Sequence, residues 1–174
     1  MQISCLKPKI ALAEAEQMLR GSWREARFGA LHLVMDFYLP YHLFRVAVVN
    51  GCRQSAHLLA IDAVNGSLDL YQLDQTPLER LLIESDCVAP GRLDETRTWQ
   101  LLEEQVRRGI LLKGFFSVGD LRITGVMTDR LYLPYHVGVY ERRNRVTLEI
   151  IDAVRGRFEG AKLREIVTEW FSIR

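Results

Sequence analysis

A tyrosine, a histidine and an aspartate held together can bind a polar ligand or relay a proton, and this chain carries such a set twice. The pentapeptide Tyr38-Leu39-Pro40-Tyr41-His42 recurs unchanged as Tyr132-Leu133-Pro134-Tyr135-His136, an offset of 132 − 38 = 94. On a strand, the two-residue period aligns Tyr38 with His42 and Tyr132 with His136 on one face. Further along, Ile61-Asp62-Ala63-Val64 recurs as Ile151-Asp152-Ala153-Val154, an offset of 151 − 61 = 90, and each copy has a glycine two residues later, Gly66 and Gly156. An antiparallel return of the next strand would bring Asp62 toward His42 and Asp152 toward His136. The candidate ligand-binding residues are therefore Tyr38, His42, Asp62, Tyr132, His136 and Asp152. The competing expectation makes the same residues scaffold. Tyrosine and proline then pack where the copies meet, histidine satisfies a backbone group, and aspartate accepts N–H bonds from its own turn.

Other chemistries lack their residues, and no catalytic set is expected. His32, His42, His57 and His136 are scattered, with neither an HxH nor an HExxH spacing, and Cys5, Cys52 and Cys87 form no CxxC pair. No metal site, disulfide framework or cofactor is expected from that pattern. There is no GxSxG nucleophile turn, no GxGxxG and no phosphate loop. Arg142, Arg143 and Arg145 crown a predicted hairpin and could reach phosphates. Yet the whole chain balances 23 basic against 22 acidic residues, so a solvated turn is the default and no nucleic-acid partner is expected.

The elements that must position these residues come from a chain of 174 residues, 48% of them hydrophobic and 26% charged. That mixture excludes disordered, fibrous and polybasic classes and leaves a globular protein with a core. The N-terminus lacks the apolar core of a signal peptide, and no window is apolar enough to span a bilayer. A cytoplasmic protein with no membrane partner is the expectation.

The repeated motifs imply a duplication, with copies at residues 1–88 and 89–174. In the first copy, Pro8 to about Phe28 is predicted as an amphipathic helix, with Ala11, Ala15, Met18 and Leu19 on one stripe and Gly21 ending or bending it. Ala30 to Val49 contains Pro40. It is expected either as two strands joined by a bend or bulge, or as one long edge strand. Turns at Asn50-Gly51 and Asn65-Gly66 bound a strand at Ser55–Asp62, a further strand covers Ser67–Leu73, and a short helix follows Pro77 at Leu78–Ile83. In the second copy Asp94 caps a helix carrying Trp99, Leu102, Val106 and Ile110, closed by Gly109. Strands follow at Leu121–Met127, Arg130–Glu141 and Val146–Asp152, with turns at Arg142 to Asn144 and at Gly156. A last helix carries Leu163, Ile166, Val167, Trp170 and Phe171. The fold class is thus α+β. It comprises two tandem repeats, each a helix, a three- to four-stranded antiparallel sheet and a short helix, packed with pseudo-two-fold symmetry as one compact body.

A helix followed by strands that end in Ile-Asp-Ala-Val-x-Gly resembles the PepSY family, whose modules close on an Asp-Ala-x-Thr-Gly-Glu turn. The matching residues are Ile61, Asp62, Ala63 and Gly66, then Ile151, Asp152, Ala153 and Gly156, within about 60 residues of each half. Asn65 and Arg155 stand where that family tends to have threonine. More widely, the arrangement resembles cystatin-like folds, in which a curved sheet wraps a helix. The PepSY family is associated with propeptides and regulators of secreted peptidases; the duplicated architecture, the exposed strand edges and the lack of a catalytic set argue for binding. The function expected is recognition of a protein or peptide partner by strand addition at a sheet edge. The alternative is a small-ligand binder or enzyme with a site between the repeats, built on Tyr38, His42, Tyr132 and His136.

Overall fold

The computed structural model describes residues 1–69, 77–112 and 121–172. Among these the chain runs β1 (Gln2–Leu6), α1 (Leu12–Leu19), α2 (Ser22–Phe28), β2 (Ala30–Asn50), β3 (Arg53–Asp62), β4 (Leu68–Asp69) and β5 (Leu78–Leu82). It continues through α3 (Glu95–Leu112), β6 (Leu121–Arg142), β7 (Arg145–Asp152), β8 (Arg157–Phe158) and α4 (Ala161–Ser172). The fold is mixed α+β and mostly strand. Hydrogen bonds join the strands in the order β4-β3-β2-β6-β1-β5, with β7 paired to β6 and β8 to β7.

Several elements depart from the sequence expectation, each for a local reason. The first helix begins at Leu12, after Pro8 rather than on it, and Gly21 splits it into α1 and α2. Gly109 does not end α3, which continues to Leu112. Leu78–Leu82 is a strand and not a short helix: its burial alternates, and it pairs antiparallel with β1 from Gln2↔Leu82 to Leu6↔Leu78. Strand β1 itself had no place in the sequence reading. Of the strand expected at Ser67–Leu73, the structure describes Leu68–Asp69, and 70–73 lie outside the described residues.

The largest departure is in the long strands: β2 is unbroken at Pro40, and Leu121–Met127 and Arg130–Glu141, expected as two strands, form the single β6. Each proline lies inside one continuous strand, 21 residues in β2 and 22 in β6, and β2 is flanked on both sides rather than at an edge. Proline lacks an N–H and so cannot donate to a ladder. Here the β2–β3 ladder begins at Tyr41↔Asp62 and the β6–β7 ladder at Tyr135↔Asp152, one residue beyond each proline. Pro40 and Pro134 contribute only carbonyls, which accept the N–H of Ala63 (2.9 Å) and of Ala153 (3.1 Å).

The chain divides into two compact units that are not consecutive halves. One comprises Met1–Leu39, Leu78–Ala89 and Tyr132–Arg174; the other comprises Pro40–Pro77 and Pro90–Leu131. In the first, Ala15 and Leu19 of α1 pack on Tyr140 and Ile151, with Met18, Phe28 and Phe158 around them. The Tyr140 hydroxyl donates to the Leu19 carbonyl at 2.6 Å. Helix α4 buries Leu163, Ile166, Val167 and Trp170, as its spacing predicts. Its Arg164 pairs at 2.9 Å with the buried Glu149. In the second unit, Leu102 of α3 joins Phe44, Val46, Val48 and Ile61, with Trp99, Val106 and Ile110 against them. Asp94 caps this helix as predicted, its Oδ1 accepting the Arg97 N–H at 2.7 Å.

Candidate functional site

The strand registers decide which of the six predicted side chains can meet. Directly opposed residues point to the same face, and neighbours along a strand to opposite faces. Tyr41 opposes Asp62 and His42 opposes Ile61; likewise Tyr135 opposes Asp152 and His136 opposes Ile151. Each histidine therefore lies on the face opposite its expected aspartate, and the Tyr-His-Asp grouping is not assembled in either copy.

The aspartates hold their own turns. Asp62 Oδ1 accepts the N–H of Val64 at 2.6 Å and of Asn65 at 3.4 Å, and Asp152 Oδ1 accepts those of Val154 and Arg155, both at 2.8 Å. Gly66 and Gly156 follow in the left-handed region, at φ 72° and 68°, where a side chain is strained. A Cβ on Gly156 would also come within 2.8 Å of Ile10. The Ala63 carbonyl accepts the N–H of Arg92 and Leu93, and the Ala153 carbonyl those of Lys9 and Ile10, between 2.8 and 3.1 Å. Each Asp-Ala-Val-x-Gly turn thus anchors the segment that leads into a helix.

The histidines differ from one another. His42 Nδ1 shares a hydrogen bond of 2.9 Å with the hydroxyl of Thr98, a fully buried residue of α3. Burial, then the charge of Arg130, holds its pKa below the ordinary value, against a smaller opposing pull from Glu95 and Asp94. His136 bonds Asp36 Oδ1 through Nδ1 and the Ile10 carbonyl through Nε2, both at 2.9 Å. A carboxylate and a carbonyl only accept, so the protonated ring is the form that satisfies both bonds at once. Burial alone would lower its pKa, but the bonds to Asp36 and Ile10 and the carboxylate charge outweigh it, and the net shift is upward. Asp36 was missed in the sequence; a lone charge inside a strand-like apolar run was its signal.

Tyr38 lies in a cluster with Ile3 and Cys5, where burial, helped by the nearby Asp36 charge, pushes its hydroxyl up to about 12. Tyr132 is half-buried and pairs in register with Cys5, whose thiol burial raises to about 11. None of the three cysteines is in a disulfide. Among the described residues, Glu84, Asp86 and Cys87 bring three possible metal-ligand atoms within 4.8 Å. Three donors, two of them on exposed carboxylates, fall short of the four protein ligands of a structural zinc site.

Open concavities lie elsewhere, at the hairpin turns. One of about 570 Å³ is lined by Val48, Asn50, Cys52, Arg53, Ser55 and Ile110 in the second unit. Another of about 570 Å³, in the first unit, is lined by Arg27, Phe28, Arg142, Arg143, Arg145 and Thr147. No helix among the described residues is long and apolar enough to cross a membrane. In comparisons with known proteins, no family model matches this chain, and neither a curated protein nor a solved structure does.

Proposed function

We propose that this is a non-enzymatic recognition protein that binds an extended segment of a partner protein along β5. The observation that carries this reading is the character of that strand. Among the described residues β5 ends the strand order and pairs with β1, and it leaves Leu78 and Leu82 exposed at 53% and 86%. Exposed apolar residues on an edge strand invite pairing with another chain. Leu78, Arg80 and Leu82 share one face, so an added strand with an acidic residue between two apolar ones would match them across the ladder. The YLPYH and Asp-Ala residues support the reading indirectly, because they are occupied by the scaffold. The PepSY resemblance of the two Asp-Ala turns points the same way, toward a binding module.

The scaffold itself is, in this proposal, a duplication whose copies exchange parts. The matched registers, the paired proline carbonyls and the paired Asp-Ala turns support two equivalent units. In each unit the helix comes from one copy and the hairpin beneath it from the other. A random peptide library selected on the full chain tests the recognition claim. Enriched peptides should carry apolar, acidic and apolar residues at successive every-second positions and slow amide exchange in β5. A Leu78→Lys, Leu82→Lys double variant should lose them. No enrichment, or equal binding by the double variant, rejects the reading.

A further inference from the structure

We infer that the β6–β7 turn and the end of α2 form a binding site for a phosphate-bearing small ligand, independent of the β5 edge. Four arginines, Arg27, Arg142, Arg143 and Arg145, line one concavity of about 570 Å³ together with Thr147 and Phe28. None of the four enters an ion pair among the described residues. The neighbouring acid, Glu141, faces His32 at 3.4 Å instead. Like charges gathered without counterions repel one another, and an anion relieves them.

Two of these arginines are already held in place. The Arg142 Nη1 donates to the carbonyls of Ala26 and Arg27, at 3.0 and 3.2 Å, tying the turn to the last residues of α2. The Arg27 guanidinium lies over the rings of Trp23 and Phe28, 5.4 and 5.2 Å from their centres. Preordered donors lose less entropy when a ligand arrives. Arg143 sits at φ 47° and Asn144 at φ 64°, the left-handed pair that a two-residue hairpin turn requires. In the β2–β3 hairpin the first of these positions is Gly51, at φ 57°, the residue that adopts it without strain. Arginine therefore occupies a position where glycine is cheaper, and its side chain points to a use.

Phosphate fits this donor set better than a carboxylate does. It carries up to two charges and several acceptor oxygens, which forked guanidiniums and a hydroxyl can share. The volume suits a small molecule, and Phe28 offers a ring against which an attached group can lie. Calorimetric titration of the full chain with pyrophosphate and with ADP, at physiological ionic strength, tests the site. Saturable binding of one equivalent is expected. Equal affinities assign the site to the phosphates alone, and tighter ADP binding extends it to the nucleoside. Arg143→Gly should weaken binding about tenfold or more while melting no lower than wild type, because glycine suits the backbone there. Arg145→Gln should weaken it similarly, and Arg53→Gln, at the other hairpin, should not. The inference is overturned if neither anion binds, if Arg143→Gly binds as wild type, or if Arg53→Gln weakens binding equally.

Discussion

His42 and His136 occupy the same place in the same pentapeptide, yet their partners drive their charge in opposite directions. Burial and a nearby guanidinium favour the neutral form of His42; a carboxylate and a carbonyl favour the protonated form of His136. Linkage turns this into two opposed pH dependences. His136 has a folded pKa above the ordinary 6.5, so its contribution is fully present below 6.5 and is lost as pH rises through the raised value. His42 has a folded pKa below 6.5, so the unfolded chain takes up its proton first, and stability falls as pH drops from 6.5 toward the lowered value. Melting temperatures between about pH 5 and pH 8 should separate the two. Replacing His136 with Gln should remove the loss on the alkaline side, and replacing His42 with Gln should flatten the loss on the acid side. Parallel wild-type and variant profiles would contradict the assignment.

Helices α1 and α3 each meet β6 at a glycine. Leu19 of α1 lies where a Cβ on Gly138 would be, 2.8 Å away, and the Trp99 ring lies within 2.1 Å of a Cβ on Gly125. Leu19 is fully buried and cannot retreat, so Gly138→Ala should destabilise the protein by about 1–3 kcal/mol, the usual cost of overpacking. Trp99 is half-buried and packs on Phe44 at 5.7 Å, so Gly125→Ala should displace the ring and cost a similar amount. Urea midpoints measure both, and unchanged midpoints would show that the contacts yield freely. The helices were legible because Trp99, Leu102, Val106 and Ile110, or Leu163, Ile166, Val167 and Trp170, carry a 3.6-residue period that packing reinforces. The hairpin turns were legible because glycine and asparagine mark left-handed positions. Leu78–Leu82 was not, because its strand conformation comes from pairing with β1, a partner 72 positions away at Leu6↔Leu78 and 80 at Gln2↔Leu82. The histidine–aspartate approach was not legible because it turns on register: a one-residue difference sets Asp62 opposite Tyr41 rather than His42, and no local pattern records it.

The order in which the chain builds its units carries a consequence for the whole molecule. Leu102, Trp99 and Val106 come from after residue 89, whereas the Phe44, Val46, Val48 and Ile61 surface they cover comes from before it. In the other unit, Ala15 and Leu19 precede residue 89, and their partners Tyr140 and Ile151 follow it. A fragment ending at residue 88 therefore has a hairpin without its α3 and an α1 without its β6–β7 surface. A fragment of 89–174 has the complementary deficit. Burying a large apolar side chain contributes roughly 1.5–3 kcal/mol, and each fragment lacks the partners for several. Neither half should unfold cooperatively as a monomer on its own; each should be unfolded or self-associated. Mixed in equal amounts, they should form a heterodimer whose helical and near-ultraviolet dichroism matches the intact chain. Sedimentation and dichroism of the separate and mixed fragments measure this. A monomeric fragment with a sharp melting transition would mean that one copy can close on its own helix, and that the exchange of parts contributes nothing to stability.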